Sequence, residues 1–207
     1  MKQKLLVATH NQGKVREYAA MLADLQIVWL GLDEAGVTLD VAETGQSFRE
    51  NAILKARAYA AETGLLTLAD DSGLEVDALG GRPGVYTARY GGAGLTSEAR
   101  YQLLLRNLAG VPLPERTARF RCVIALAEPD GTLLGTAEGV CEGLIGETAV
   151  GSHGFGYDPV FYLPARGVTM AQLDPAEKHR ISHRGRALRE IETLLRETLA
   201  SGRASGA

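Results

Sequence analysis

Short apolar segments alternate with helical segments along the N-terminal part of this 207-residue chain, and this alternation constrains the fold most. Leu5–Thr9 is an apolar run, and a loop at His10–Gly13 leads into a helical pattern at Lys14–Leu22. Gln26–Leu32 follows as a second apolar run. Strand, loop, helix and strand in this order are typical of α/β proteins, so we predict an α/β fold.

Later segments carry their own helix and strand signals. Ser47 and Glu50 form a capping box that starts a helix to about Glu62, and Gly64 is placed to end that helix. Leu65–Ala69 predicts the next strand, which ends on a turn-like Asp-Asp-Ser-Gly at 70–73. The remaining predicted elements are a short strand at 74–79, a helix at 96–108, a strand at 119–128 with a hairpin partner at 132–139, an irregular stretch at 143–162, a helix capped by Asp174, and a last helix at 182–199. This mixture predicts a mixed sheet with helices packed around it.

The composition excludes several classes of protein. A formal net charge of -3 argues against a protein that binds long nucleic acids by bulk electrostatics. No apolar stretch reaches the roughly 18 residues that a membrane span needs. Cys122 and Cys141 predict neither a disulfide framework nor a zinc site. We therefore predict a reduced, cytoplasmic protein whose residues 201–207 form a loose tail.

The segment from Thr9 to Lys14 lies between the first predicted strand and helix. A helix N-terminus offers free N–H groups and a positive dipole end, and Lys14 adds a positive charge, so the segment is suited to bind phosphate. It is not a Walker A loop, because the leading Gly and the Ser or Thr after the lysine are missing. Taken alone, an ordinary turn with a surface lysine explains it better.

The acidic residues Glu43, Asp70 and Asp71 form a candidate metal-binding set. Asp70 and Asp71 follow an apolar strand directly, and adjacent like charges beside a core strand need a counter-ion or solvent. Mg²⁺ is bound by a few carboxylates and keeps waters for substrate phosphates. A solvated acidic turn is the competing interpretation.

Basic and aromatic residues make up the other candidates. Lys55, Arg89, Lys178 and Arg184 are candidate phosphate or base contacts, although isolated surface cations usually have no function. The segment at 154–159, Gly-Phe-Gly-Tyr-Asp-Pro, could present an aromatic face to a flat ligand and an acceptor to a base edge. The spacing of His179 and the next histidine, at 183, is compatible with a metal pair, but a helix cap at 182 between them argues against zinc.

Taken together, these segments resemble the inosine triphosphate pyrophosphatase family, also called Ham1-like. The matching segments are ATHNQGKVREY (8–18), ETGQSFRENAILKARAYA (43–60), ADDSGLEVDALGGRPGVYTARY (69–90), GFGYDPVF (154–161) and SHRGRAL (182–188). The resemblance implies a curved mixed β-sheet with packed helices, forming two lobes of a single domain over 1–200 around a deep nucleotide-binding groove. It also implies a homodimer that requires Mg²⁺ and hydrolyses ITP, dITP or XTP to the monophosphate and pyrophosphate, thereby removing deaminated purines.

The resemblance also implies roles for individual residues. Asp71 would be the proton acceptor and, with Glu43, a ligand of the metal. The remaining residues would contact the substrate: Thr9, His10, Asn11, Gln12, Gly13 and Lys14 at the phosphates, Phe155, Gly156, Tyr157 and Asp158 at the base, and Lys55, Ser72, Lys178, His183 and Arg184 elsewhere. The roles of Lys55, Arg89 and Asp70 are less closely tied to the family pattern.

Two other functions stay open at this point. A Maf-like nucleotide pyrophosphatase has a related architecture, but the segments at 154–159 and 182–185 argue against it. A nucleotide-sensing or RNA-binding module without turnover is a different class. The carboxylates at 43, 70 and 71 argue against such a module, since carboxylates repel phosphate unless a cation intervenes.

Overall fold

The computed structural model describes residues 2–202, which divide into two compact units. Unit 1 contains the described residues up to Asp71, Cys122–Gly139, and the chain from Gly185 onward. Unit 2 contains Ser72–Arg121 and Val140–Arg184. The strands of the described chain are β1 (Lys4–Val7), β2 (Val28–Leu30), β3 (Leu66–Val76), β4 (Thr117–Ala127), β5 (Leu133–Ile145), β6 (Phe161–Leu163) and β7 (Val168–Thr169). The α-helices are α1 (Gln12–Met21), α2 (Phe48–Thr63), α3 (Ser97–Asn107), α4 (Pro175–Ile181) and α5 (His183–Ala200).

The strands form one mixed sheet in the order β2-β1-β3-β4-β5-β6-β7. β1 runs parallel to β2 and β3, whereas β6 is antiparallel to both β5 and β7. β4 and β5 are neighbours joined by a tight turn, in which Gly131 N donates to Glu128 O at 2.8 Å. The predicted α/β fold with a mixed sheet and packed helices is confirmed, while the single two-lobed domain and the deep groove stay predictions.

The core of unit 1 lies between the sheet and the apolar faces of α1 and α5. Val15 and Tyr18 of α1 are buried there, as are Leu188, Ile191 and Leu195 of α5. Their spacing of three and four residues places them on one face of each helix, as the sequence pattern predicts. Each fully buried aliphatic side chain contributes roughly 1.5–3 kcal/mol relative to exposure, so these faces hold both helices against the sheet.

Unit 2 has a second core of its own. Leu104 of α3 packs there with Leu74 of β3, and the rings of Phe120 and Phe161 lie 4.4 Å apart between centroids. Aromatic pairs at this separation add to the free energy of apolar burial. This core supports the segment around Tyr157, whose ring is buried in it.

The helix-start signals are confirmed by side-chain hydrogen bonds. Ser47 accepts from Glu50 N at 3.2 Å, and Asp174 accepts from Glu177 N at 2.8 Å. Gly64 ends α2 in the left-handed conformation with φ 63°, where a side chain would be strained. These contacts satisfy backbone groups that have no partner within the helix.

The predicted turn at 70–73 and the separate strand at 74–79 were wrong. β3 continues through both, from Leu66 to Val76, and Asp70 is only 1% exposed. The acidic side chains do not need a solvated turn, because lysines from α1 and α2 approach them. A buried carboxylate is tolerated when a cation and hydrogen bonds satisfy it.

Other differences concern element limits. The predicted irregular stretch at 143–162 is partly regular, because β5 extends to Ile145 and β6 begins at Phe161. Helix α1 starts at Gln12, earlier than the predicted start at Lys14. Of the predicted loose tail, residues 203–207 lie outside the described residues. Within residues 2–202, no helix combines the length and apolar character that crossing a membrane requires.

Candidate functional site

The loop between β1 and α1 lies beside the acidic part of β3. Val7 pairs with Leu68 in the parallel register, and Ala8 N donates to Leu68 O at 2.8 Å, so the loop begins where β3 reaches Asp70. Asn11 caps α1 by accepting from Gly13 N at 2.9 Å. A Cβ on Gly13 would lie 2.9 Å from Asn11 Oδ1, so glycine allows this close approach.

Lys14, in the first turn of α1, points at the acidic strand. Its Nζ lies 2.8 Å from Asp70 Oδ2, with the carboxylate side chain 1% exposed and the lysine side chain 18% exposed. The ammonium therefore neutralises one of the two adjacent carboxylates. A ligand phosphate at this helix start would meet the α1 N-terminus and the same ammonium.

His10 lies at the open edge of this loop. Its Nδ1 is 2.6 Å from Asp33 Oδ1, and both side chains are more than half exposed. Asn11 N donates to Thr9 Oγ1 at 3.1 Å, which orders the backbone between them. The structure thus brings the six predicted phosphate contacts into one loop and helix start, and it gives His10 an acidic partner.

Lys55 of α2 links the two predicted metal ligands. Its Nζ is 2.7 Å from Glu43 Oε1 and 3.2 Å from Asp71 Oδ1. Lys55 and Asp71 are each only 12% exposed in their side chains, and Glu43 is 30% exposed. One ammonium is therefore shared by two carboxylates that are far apart in sequence.

Asn51 is a further residue of this site that the sequence reasoning missed. It is fully buried one helical turn before Lys55, and its Nδ2 donates to Asp71 Oδ2 at 3.2 Å. Its Oδ1 accepts from Gly45 N at 2.8 Å, which ties down the segment that carries Glu43. The signal available in the sequence was a polar residue four positions before a lysine, which places both on one helix face.

The electrostatics of this site show an excess of negative charge. Burial acts to lower the pKa of Lys55, but Asp71, Asp70 and Glu43 outweigh it, so the pKa of Lys55 is raised. The pKa of Asp71 is also raised, first by burial and then by Glu43, although Lys55 and Asn51 act to lower it. Burial and the neighbouring Glu43 therefore act together against the charged form of Asp71.

The carboxylates fit a hard divalent cation. Glu43 and Asp71 converge on one point, where an ammonium lies 2.7 and 3.2 Å from their oxygens. The two carboxylates carry two negative charges, which a cation with two positive charges would offset. Within residues 2–202 no three His, Cys, Asp or Glu side chains form a metal-binding group. Mg²⁺ needs only one or two carboxylates with waters and phosphates, so the pair suits Mg²⁺.

Unit 2 contains a second set of predicted site residues. Asp158 Oδ2 accepts from Phe155 N at 2.9 Å and from Lys178 Nζ at 2.8 Å. Lys178 Nζ lies 4.8 Å from the centroid of the Phe155 ring, and the guanidinium of Arg184 lies 5.5 Å from it. The Phe155 ring is 44% exposed, although its neighbours Asp158 and Lys178 are buried. An exposed ring held by buried charges can stack on a flat ligand.

Burial dominates the electrostatics of Asp158. It raises the pKa of this carboxyl, and the ion pair with Lys178, the N–H of Phe155 and Arg184 act in the opposite direction. Gly154 stands directly against the carboxylate, because a Cβ there would overlap with Asp158 Oδ2. Its φ of 78° is a second reason for glycine at this position.

The residues before α5 complete the second set. Arg184 Nη2 donates to Ser72 Oγ at 3.3 Å, which brings together two predicted substrate contacts. The ring of His183 stacks on Phe120 at 4.8 Å between centroids. Ser182 separates α4 from α5, and His179 lies on the earlier helix, so the spacing of His179 and His183 does not describe one helix face.

The remaining residues of the segment at 154–159 have structural partners. The Tyr157 hydroxyl donates to Thr87 O at 3.0 Å, and burial raises its pKa strongly. Gly156 has φ 63° and open space around its missing side chain. Arg89, whose role was left open, lies 5.1 Å above the Tyr86 ring.

The fold and these side chains define an α/β protein with two sets of paired charges, one that combines lysines with three carboxylates beside a helix start and one that surrounds an exposed aromatic ring. A sequence model of the Ham1 family matches residues 5–194, and the chain belongs to that family.

The chain is similar to curated proteins and to solved structures over most of its length. The dITP/XTP pyrophosphatase of Geobacillus kaustophilus is 50% identical over 190 residues, which cover 92% of this chain and 93% of the relative. The dITP/XTP pyrophosphatase of Desulforamulus reducens is 53% identical over 194 residues, which cover 93% and 95%. The solved structure of a HAM1 protein from Coxiella burnetii matches with a TM-score of 0.85 at 44% identity, covering 94% of this chain and 99% of that one.

Proposed function

We propose that this chain hydrolyses non-standard purine nucleoside triphosphates, namely ITP, dITP and XTP, to the monophosphate and pyrophosphate. It belongs to the Ham1 family, and relatives that share about half of its residues are named dITP/XTP pyrophosphatase. The observation that carries the proposal is the set of ion pairs formed by Lys14, Asp70, Lys55, Glu43 and Asp71, because it places cations suited to phosphate beside carboxylates suited to a metal.

The triphosphate would bind at the start of α1. Its negative charges would meet the N–H groups of that helix end, together with Lys14 and Lys55. In the reaction, a water oxygen forms a bond to the α-phosphorus, and the bond from that phosphorus to the bridging oxygen of pyrophosphate breaks. Lys14 and Lys55 would stabilise the charge that develops on the leaving pyrophosphate.

Glu43 and Asp71 would hold Mg²⁺, as their convergence on one cation supports. When bound, such an ion supplies charge neutralisation and lowers the pKa of a bound water. Asp71 would orient the attacking water and accept its proton, and Asn51 keeps the Asp71 carboxylate in place through the 3.2 Å contact. Asp71 thus serves as metal ligand and as proton acceptor.

The residues around Phe155 would recognise the base. Phe155 would stack on the purine, and the cations of Lys178 and Arg184 lie beside the Phe155 ring. Hypoxanthine and xanthine carry an acceptor oxygen at position 6, and adenine carries a donor amino group. We propose that Arg184, or the backbone at 182–184, donates to that oxygen, and that Asp158 contributes at the N1 side. When the wrong base leaves a buried donor of the site unpaired, the site can discriminate against that base by a factor of about 10⁴ or more.

The test is pyrophosphate release by the purified chain, measured with ITP, XTP, dITP, dGTP and ATP, with MgCl₂ and with EDTA. We expect release from the first three that depends on MgCl₂, with much slower release from ATP. Equal rates with ATP and ITP would refute the donor at position 6. Tight nucleotide binding without any release would instead favour a sensing module.

Three further properties stay predictions. The partner of this chain is a small nucleotide, and we expect no nucleic-acid or membrane partner. We also expect a homodimer and a cytoplasmic location. Size-exclusion chromatography with light scattering would test the dimer.

A further inference from the structure

We propose that Lys55 is the resident cation of the metal site, and that a divalent cation binds there only by displacing the Lys55 ammonium. This inference rests on the proposed function, because it takes Glu43 and Asp71 as the metal ligands. It adds a competition between a side chain and the metal, and it makes Lys55 a positioning residue for both carboxylates before the metal arrives.

The contacts of Lys55 carry the first step. Its Nζ is 2.7 Å from Glu43 Oε1 and 3.2 Å from Asp71 Oδ1, so it stands where the two carboxylates converge. Mg²⁺ requires oxygen ligands at about 2.1 Å, shorter than the contacts of an ammonium. A metal bound by these same two oxygens and an ammonium held between them therefore exclude each other.

The surroundings show why the two carboxylates need a cation between them. Glu43 and Asp71 both contact the same ammonium, so their negative charges would repel each other without a cation between them. The Asp71 side chain is only 12% exposed, so water screens this repulsion poorly. Asn51 reaches both sides of the site through Gly45 N and Asp71 Oδ2, but it brings no charge. Lys55 thus supplies a positive charge that contacts both carboxylates of this pair.

The displaced ammonium would have a new partner in the reaction. Lysine has four rotatable side-chain bonds, so its Nζ can leave the carboxylates while the α2 backbone stays in place. A triphosphate arriving with the metal supplies oxygens that accept from it. Lys55 would thus contact Glu43 and Asp71 before the metal binds, and the triphosphate after the metal has displaced it.

Lys14 provides a matched control. It is also a partly buried lysine in an ion pair with an aspartate next to the site, since its Nζ lies 2.8 Å from Asp70 Oδ2. Within residues 2–202 its ion pair is with Asp70 rather than with Glu43 or Asp71, and its removal changes the net charge by the same amount. If only the loss of a positive charge raised the Mg²⁺ affinity, both variants would show the increase. If the ammonium occupies the metal position, only the Lys55 variants would show it.

The experiment is a thermal-unfolding titration of the nucleotide-free full chain with MgCl₂, at constant pH and constant ionic strength set with NaCl. The rise of Tm with MgCl₂ concentration gives the affinity of the folded chain for the ion. We compare the wild type with Lys55→Met, Lys55→Gln and Lys14→Met. Glutamine keeps a hydrogen-bond donor without the charge, so it gives the answer if the methionine variant does not fold.

We expect both Lys55 variants to bind Mg²⁺ at least about tenfold more tightly than the wild type, as the loss of a competing charged contact predicts. Lys14→Met should tighten binding by less than about threefold, since it leaves no vacated position between the ligands. Unchanged or weaker Mg²⁺ binding in the Lys55 variants would overturn the proposal. Equal tightening in Lys14→Met would also overturn it, because charge alone would then explain the effect.

This test is separate from the test of function. The titration contains no nucleotide, so a wild type that binds Mg²⁺ but releases no pyrophosphate would refute the proposed function without touching the competition. Conversely, Mg²⁺-dependent pyrophosphate release by the wild type, together with an unchanged Mg²⁺ affinity in Lys55→Gln, would refute only the competition.

Discussion

Replacing Gly154 with alanine tests how the loop before Phe155 holds the Asp158 carboxylate. Gly154 has φ 78°, and a Cβ there would overlap with Asp158 Oδ2 and lie 3.0 Å from Lys178 Nζ. Gly156, two residues later, has φ 63° with no atom within 4 Å of the added Cβ. The two glycines therefore share a backbone conformation and differ in what a methyl group would meet.

The expected magnitudes follow from that difference. An L-residue in the left-handed region costs roughly 1–2 kcal/mol, and this cost applies to both Gly154→Ala and Gly156→Ala. In Gly154→Ala the Asp158 carboxylate must also move, which weakens its contacts with Phe155 N at 2.9 Å and Lys178 Nζ at 2.8 Å. A hydrogen bond to a charged group contributes about 1.5–3 kcal/mol to stability. We therefore expect Gly154→Ala to lower the free energy of unfolding by about 3–5 kcal/mol in total.

The assay is thermal unfolding followed by circular dichroism, with pyrophosphate release from ITP measured in parallel. At this chain length, 1 kcal/mol lowers Tm by about 2–4 °C, so Gly154→Ala should unfold at least about 4 °C below Gly156→Ala. We also expect a raised KM for ITP in Gly154→Ala, because Phe155 and Lys178 lose their common anchor. Equal Tm values for the two variants would refute the close packing of Gly154 against Asp158.

Three other predictions concern separate parts of the chain. Asp71→Asn should still bind ITP but lose at least about a hundredfold in pyrophosphate release, since a general base contributes about 10²–10⁴; full activity would remove Asp71 as the base. Asn51→Leu should lower the free energy of unfolding by about 1–3 kcal/mol in urea denaturation, because Gly45 N and Asp71 lose a buried partner; an unchanged midpoint would contradict that bridge. Hydrogen bonds from Thr117 and Arg119 lower the pKa of Asp77 below 3.8, so its stabilisation is present above pH 3.8 and is lost as the pH falls through the depressed pKa of the folded state. Asp77→Asn should therefore have a lower free energy of unfolding than the wild type near pH 7, by less than about 1 kcal/mol because the Asp77 side chain is partly exposed. In urea denaturations the difference should disappear once the pH falls below the depressed pKa of Asp77. A difference that does not vary with pH would show that the charge of Asp77 does not contribute.

The helix limits and the faces of the helices followed from local chemistry. Ser47 and Asp174 cap their helices through contacts three residues apart in sequence, so the residues that make them are visible in the chain itself. The apolar spacing in α1 and α5 likewise depends only on the helical repeat. Such features need no knowledge of what lies on the other side of the protein.

The acidic segment at 70–73 shows where this reasoning stopped. Two aspartates followed by serine and glycine have good turn chemistry, and the sequence offers no local reason to prefer a strand. The strand forms because Lys14 and Lys55 come from two different helices and neutralise the carboxylates. Long-range ion pairs of this kind are absent from any local pattern, so the burial of Asp70 could not be predicted.

The candidate site divides in the same way. The types of its residues, and their family resemblance, were available from the sequence: cations at a helix start, carboxylates after a strand, and an aromatic between glycines. The role of Asn51 and the sharing of Lys55 between Glu43 and Asp71 were decided only by tertiary structure. The charge and hydrogen-bonding groups of each side chain follow from its residue type, so the sequence shows them directly. Which charge neutralises which depends on distances of about 3 Å that only the packed helices and strands establish.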